Sequence, residues 1–231
     1  MWTMDEFKKD RDKQILAFGI VFFLLAFPLY FNTTSGDVSG STFGGMDFYE
    51  VSGDMTYVEL DSGMEYVASG DTWTIDDLST DSIDGADDMN IVGVLVTLSY
   101  GEDEESSGAT CALNDGQAAA DTISGTVMHG AYNTSASGTN ENPSHTVESL
   151  WFNDSMVDSI LFLSESEIIA GIDADGAGLG AYSLDITVDA EAGQAPGPTC
   201  SREDNGEEVS YKIELIVYDY TITSVLEPLF E

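Results

Sequence analysis

The chain has 231 residues, of which 43 are acidic and 6 are basic, and its formal net charge is −37. The first 31 residues contain four of the bases and four of the acids, so residues 32–231 carry the whole net charge. Because nucleic acids and nucleotides are bound at their phosphates by lysine and arginine, this composition argues against either as a ligand.

The N-terminal segment predicts a membrane anchor. Residues 15–31 read ILAFGIVFFLLAFPLYF without a charge, and as a helix they would span about 25 Å. Since the bases lie only on the N-terminal side of this run, we expect residues 1–14 in the cytoplasm and residues 32–231 outside the cell membrane. The alternative is a cleaved signal peptide, which requires small residues at the cleavage site. The bulky sequence at residues 28–31 favours an uncleaved helix that contacts the lipid bilayer.

The composition beyond the anchor changes to Gly, Ser, Thr and Asp. Residues 32–45 predict a flexible stalk. In residues 46–231, short aromatic and β-branched runs alternate with turn residues, which predicts a mainly β domain. We expect an antiparallel β-sandwich ectodomain of the jelly-roll or immunoglobulin-like type, in one unit rather than two of about 100 residues each. The predicted strands are residues 46–51, 55–60, 64–69, 90–100, 121–128, 146–152, 159–163, 180–191 and 207–223.

One helix is predicted in this domain, at residues 164–172. Ser164 and Glu167 have the spacing of a capping box, in which each side chain bonds the backbone amide of the other residue. Gly171 lies where the last turn would end.

The two cysteines, Cys111 and Cys200, both lie in the predicted outer region. Exposed thiols do not persist outside a cell, so we expect a disulfide between them, with two buried free thiols as the alternative. Cys111 follows the strand predicted at 90–100, and Cys200 precedes the strand predicted at 207–223. A bond between the cysteines therefore predicts that these two strands are antiparallel neighbours.

No catalytic motif is present, which favours a protein without enzymatic activity. The only histidines are His129 and His145, and we expect both in loops or at the surface. The sequence contains neither a zinc-protease HExxH motif nor a nucleophile elbow. With 43 acidic residues, pairs of carboxylates arise by chance, so an extracellular hydrolase that uses two of them remains the alternative.

Two acidic clusters are candidate calcium sites. Asp173 and Asp175 open a D-x-D-G sequence that resembles the first half of a calcium loop. It departs from the EF-hand pattern, because Ala177 and Leu184 take the fifth and twelfth positions. The alternative for each cluster is a solvated acidic turn. The second and weaker cluster consists of Asp84, Asp87 and Asp88.

Two sequons predict glycosylation outside the cell. Asn133 is followed by Thr-Ser and Asn153 by Asp-Ser, and both match the Asn-x-Ser/Thr acceptor pattern. A third sequon, at Asn32, lies next to the predicted membrane surface.

The composition and layout together lead to a functional hypothesis. The acidic surface with few lysines resembles that of secreted proteins of halophilic or marine archaea. An N-terminal anchor followed by an outer β domain is similar in layout to archaellum stator-type subunits, which implies an accessory role in a larger membrane complex as an alternative. We expect a membrane-anchored, non-enzymatic cell-surface protein that presents its β-sandwich for binding, or for envelope or appendage assembly. Its partners would be other envelope or membrane proteins.

Overall fold

The computed structural model describes residues 48–101, 104–111, 116 and 119–225. These residues form a mainly β domain built from antiparallel sheets, as predicted. The predicted cytoplasmic stub, the transmembrane helix at 15–31 and the stalk lie outside the described residues and stay predictions. Within the described part of the chain, no helix has both the length and the apolar character needed to cross a bilayer.

The described residues contain eleven strands and one α-helix, with three short 3-10 helices between them. In chain order the elements are β1 (Phe48–Ala68), β2 (Thr72–Ser79), β3 (Ile91–Ser99), β4 (Glu105–Ser107), β5 (Thr122–His129), β6 (Tyr132–Thr139), β7 (Ser144–Leu150), β8 (Ser159–Leu161), α1 (Glu165–Ile172), β9 (Ala181–Asp189), β10 (Ser201–Glu203) and β11 (Gly206–Val225). The 3-10 helices are Thr80–Ser82, Ala86–Asp88 and Asp154–Met156.

Two large sheets contribute to one core. The five-stranded sheet has the order β7-β3-β11-β1-β8, and the four-stranded sheet has the order β2-β9-β5-β6. Because successive side chains of a strand point to opposite faces, the central strands β3, β5, β9 and β11 give alternate residues to the core. The buried side chains that meet there include Val94, Val96, Leu98, Leu184, Ile186, Val188, Ile213, Leu215 and Val217.

The N-terminal part of the domain is one strand of 21 residues, so the three separate strands predicted there were wrong. β1 pairs with β11 from Phe48 opposite Val225 to Ala68 opposite Gly206. Gly53, which lies between two of the predicted strands, is a paired position within β1, and a register shift between Glu59 and Asp61 accommodates one extra residue. The glycine, serine and aspartate residues of β1 favour turns but are extended here, because hydrogen bonds to β11 satisfy their backbone N–H and C=O groups.

A second apolar cluster lies where α1 packs on the five-stranded sheet. Ile168 and Ile172 of α1 are fully buried in it, together with Val92, Ile216 and Tyr218 of the sheet. The predicted capping box is confirmed: the Ser164 side chain accepts from the Glu167 amide, and the Glu167 carboxylate accepts from the Ser164 amide.

Burial of Tyr211 makes the free energy of unfolding depend on pH in the alkaline range. Its hydroxyl donates to Asp61 Oδ2 over 2.7 Å, and burial together with this bond raises the pKa of Tyr211 to about 12. An unfolded tyrosine has a pKa of about 10. The contribution of Tyr211 to stability is therefore complete below about pH 10 and is lost as the pH rises towards 12.

We expect urea unfolding midpoints of the wild-type protein to fall over this pH range, and to fall less steeply in Tyr211→Phe. Asp61→Asn should reduce the slope by a smaller amount, because the ring stays buried. Equal slopes in wild type and Tyr211→Phe would contradict the assignment.

Candidate functional site

Cys111 and Cys200 form a disulfide that closes a loop across the domain. Their Cα atoms lie 5.1 Å apart, and they are separated by 89 positions in sequence. The predicted disulfide is confirmed. The strand arrangement inferred from it is also confirmed, because β3 pairs with β11 in antiparallel fashion, with Ser99 opposite Ser210.

The segments beside the two cysteines pair as a small sheet of their own. β4 and β10 run antiparallel, with Ser107 opposite Ser201 and Glu105 opposite Glu203. We call this structure, from residue 104 to Cys111 and from Cys200 to Glu203, the disulfide strap. Three backbone pairs are too few to hold two chain segments together alone, so the covalent bond supplies the closure.

An ion pair inside the strap was not predicted. The Arg202 guanidinium donates through Nε and Nη2 to the two carboxylate oxygens of Glu104. The Arg202 and Glu104 side chains are 8% and 1% exposed, and Nε also donates to the carbonyl oxygen of Ala192. The sequence does contain a signal for a paired arginine at this place. Arg202 is the only arginine beyond residue 31, and it stands two positions after Cys200.

A polar hollow of about 230 Å³ lies next to the strap. Its lining contains three carboxylates and no histidine or cysteine. Such a surface attracts cations, and the titratable groups in its lining are carboxylates and the Tyr66 phenol. The lining residues are Tyr66, Glu105, Glu203, Asp204, Asn205 and Gly206.

The calcium candidates Asp173 and Asp175 lie together in the loop after α1, and both are exposed. Asp173 Oδ1 accepts from the Asp175 amide over 2.8 Å, and its Oδ2 accepts from the Tyr220 hydroxyl over 3.2 Å. Among the described residues, no group of three or more His, Cys, Asp and Glu side chains is arranged to hold a metal ion. Calcium binding at this loop stays a prediction.

Three side chains, those of Asn90, Tyr182 and His129, make hydrogen bonds to the loop that follows α1 and contains Asp173. Asn90 accepts from the Ala174 amide and donates to the carbonyl oxygens of Ile172 and Tyr218. The hydroxyl of Tyr182 donates to the Gly178 carbonyl oxygen over 2.6 Å. Hydrogen bonds between side chains and the loop backbone therefore hold the loop in this conformation.

His129 is the third side chain, and its expected surface position was wrong. It is 6% exposed, because it ends β5 on the face that packs inward. Its Nδ1 lies 2.9 Å from the Ala181 carbonyl oxygen and its Nε2 lies 2.6 Å from that of Ala177. The ring stacks on Tyr182, with ring centroids 4.0 Å apart.

Replacement of His129 should loosen this loop. We expect His129→Ala to lower the free energy of unfolding by about 2–4 kcal/mol, since it removes a buried ring that stacks on Tyr182, together with its hydrogen bonding to the backbone, and leaves a cavity in its place. His129→Phe keeps a stacked ring and should recover part of this loss. Chemical denaturation followed by tryptophan fluorescence measures both, and a midpoint unchanged in His129→Ala would contradict the assigned role.

His145 lies in β7 rather than in a loop, and it is half-buried. Its Nδ1 lies 3.0 Å from the hydroxyl of Tyr100. Burial lowers the pKa of His145 and raises that of Tyr100. The pair fills a gap against Gly138, where a Cβ atom would collide with both side chains. Packing therefore explains this histidine.

The remaining predicted site residues are all at the surface. Asp84, Asp87 and Asp88 are exposed around a 3-10 helix whose preceding Gly85 has a φ of 78°. The sequon residue Asn133 is exposed on β6, and Asn153 is exposed just before a 3-10 helix. Exposure is what glycosylation requires, and the modification itself stays a prediction.

Comparison with known proteins assigns no family. No protein-family model matches the chain, and no curated protein matches it. Among solved structures, the chain is similar to that of Desmodium yellow mottle tymovirus, at 11% identity over 85% of this chain and 92% of that chain, with a TM-score of 0.17. A score this low supports no conclusion about fold or function.

Proposed function

We propose that the protein is a membrane-anchored, non-enzymatic cell-surface protein that presents its β domain outside the cell for binding or for envelope assembly. The Cys111–Cys200 disulfide carries this proposal. Disulfides form and persist in oxidising compartments and are rare in the cytosol. The one-sided bases before residues 15–31 give the same orientation independently.

The finer architecture belongs to the same proposal. Two antiparallel sheets that contribute to one core are the arrangement expected of a β-sandwich ectodomain. Such a domain is stable without a cofactor and offers broad surfaces, which suits a presenting role. We propose the lipid bilayer and other envelope or membrane proteins as its partners.

Labelling of single introduced cysteines tests the orientation. In intact cells, a membrane-impermeant maleimide should label Thr33→Cys but not the matched variant Thr3→Cys, and lysis should expose both. Protease added to intact cells should remove the outer domain and leave a small anchored fragment. Labelling of Thr3→Cys before lysis, or recovery of a soluble protein that starts after Phe31, would contradict the anchor.

A further inference from the structure

One side of β1 has few strand neighbours. β11 covers the other side of β1 along its whole length. On this side, β8 pairs only with Tyr49, Glu50 and Val51. In the described part of the domain, residues 52–65 therefore form an edge of the five-stranded sheet, about 45 Å long at about 3.4 Å per residue. Backbone N–H and C=O groups at such an edge are a template for an added strand.

An apolar stripe runs beside this edge. Met55, Tyr57 and Met64 are 37%, 53% and 57% exposed. Met55 and Tyr57 stand opposite Tyr218 and Ile216, so they lie on the sheet face that carries the second apolar cluster. We call Met55, Tyr57 and Met64 the β1 stripe. Three of the eight large exposed apolar side chains of the described residues thus lie along this edge, where an added segment would contact them.

The charge of β1 indicates which kind of segment would pair with this edge. The strand contains five acids and no base: Glu50, Asp54, Glu59, Asp61 and Glu65. Like charges that face each other across paired strands destabilise a sheet, and opposite charges stabilise it. Pairing of two copies of this chain would bring the acids of both edges together, with a net charge of −37 on each molecule. The edge therefore fits a basic strand and opposes a second copy.

We propose that residues 52–65 are a docking edge, at which an extended segment of another protein adds as a further strand of the five-stranded sheet. Apolar residues of that segment cover the β1 stripe, and lysines or arginines beside them meet the acids of β1. Main-chain hydrogen bonds supply the affinity in this mode of recognition, and side chains at alternate positions supply the specificity. The inference deepens the proposed function by naming the class of partner.

Deuterium exchange on the full-length protein in a mild detergent tests the edge. The probe is a synthetic nine-residue peptide of alternating lysine and valine. We expect it to slow amide exchange within residues 52–65 by about tenfold, because an added strand protects edge amides. The matched control is the same peptide with every backbone nitrogen methylated, which keeps the length, charge and side chains but removes every backbone N–H donor.

The outcomes separate pairing from charge attraction. Slower exchange with the unmethylated peptide alone supports the docking edge. Equal effects of both peptides, or no effect of either, overturn it. Slowing that depends on protein concentration without peptide shows that a second copy occupies the edge, which also overturns the proposal.

Side-chain variants test the β1 stripe independently. Tyr57→Asn and Met64→Asn should each weaken peptide binding by about fivefold or more, because an apolar contact is replaced by a polar side chain while the charge of β1 is unchanged. The control is Phe162→Asn, at a side chain that is 65% exposed outside the stripe, and it should leave binding unchanged. Circular dichroism confirms that each variant is folded. This result does not depend on membrane orientation, so it can fail while the cysteine-labelling test succeeds, and the reverse also holds.

Discussion

Replacing Cys111 and Cys200 together by alanine should lower the free energy of unfolding by about 4 kcal/mol. The bond joins residues 89 positions apart, and in the chain-entropy model a cross-link over a loop of this length raises the free energy of the unfolded ensemble by about that much, because it removes conformational entropy. The β4–β10 pairing has only three residue pairs, so it is not expected to hold the strap alone.

Urea unfolding of the double variant and of the wild-type protein measures this effect. The variant should still fold, because the main core lies between the two large sheets and does not include the cysteines. Wild-type protein treated with a reductant should match the variant. An unchanged midpoint in both would contradict the expected role of the disulfide.

Arg202→Met should lower the free energy of unfolding by about 3–5 kcal/mol, since it leaves a buried carboxylate without its cation. Glu104 is 1% exposed as a side chain, so water does not replace the guanidinium without opening the strap. The double variant Arg202→Met with Glu104→Leu should recover most of the loss, because a buried ion pair replaced by apolar side chains is close to neutral.

The other base beyond residue 31 is the matched control. Lys212 also contacts carboxylates, with its Nζ 2.6 Å from Glu214 and 3.8 Å from Glu59, but its side chain is 46% exposed. Lys212→Met should leave the unfolding midpoint nearly unchanged, because exposed pairs contribute little. Equal losses in Arg202→Met and Lys212→Met would show that total charge, rather than burial, sets the effect.

The disulfide and the ion pair hold the same strap, so their losses should not add. Once the Cys111–Cys200 bond is removed, the strap opens more easily and water reaches Glu104. Arg202→Met should then cost less in the double-cysteine variant than in the wild-type protein, a coupling that a double-mutant cycle measures directly.

Local sequence determined several elements of this protein. The apolar run at residues 90–100 predicted β3, and the alternation at residues 180–191 predicted β9, because a strand buried on both faces and one buried on a single face have different patterns. Ser164 and Glu167 predicted the start of α1. The two cysteines also predicted the β3–β11 pairing, because a disulfide adds a long-range constraint that is readable from sequence.

Other features depended on contacts between residues far apart in sequence. β6 was missed because Tyr132–Thr139 contains few apolar residues. It forms at the edge of the four-stranded sheet, where its Ser135 and Ser137 bond Thr126 and Ser124 across the ladder. β2 was also missed. Its two adjacent aspartates have a low propensity for strands, and the pairing with β9 overrides that propensity.

The tertiary structure alone decided the continuity of β1, the burial of His129 and the Arg202–Glu104 ion pair. In each case the local sequence is compatible with two outcomes. β1 could be broken by turns or continuous, His129 could be exposed or buried, and Arg202 could be solvated or paired. The choice is made by a partner located by the fold: β11 for β1, the Asp173 loop for His129 and the disulfide strap for Arg202. Pairing over such distances depends on which strands become neighbours, and local propensity carries no information about that.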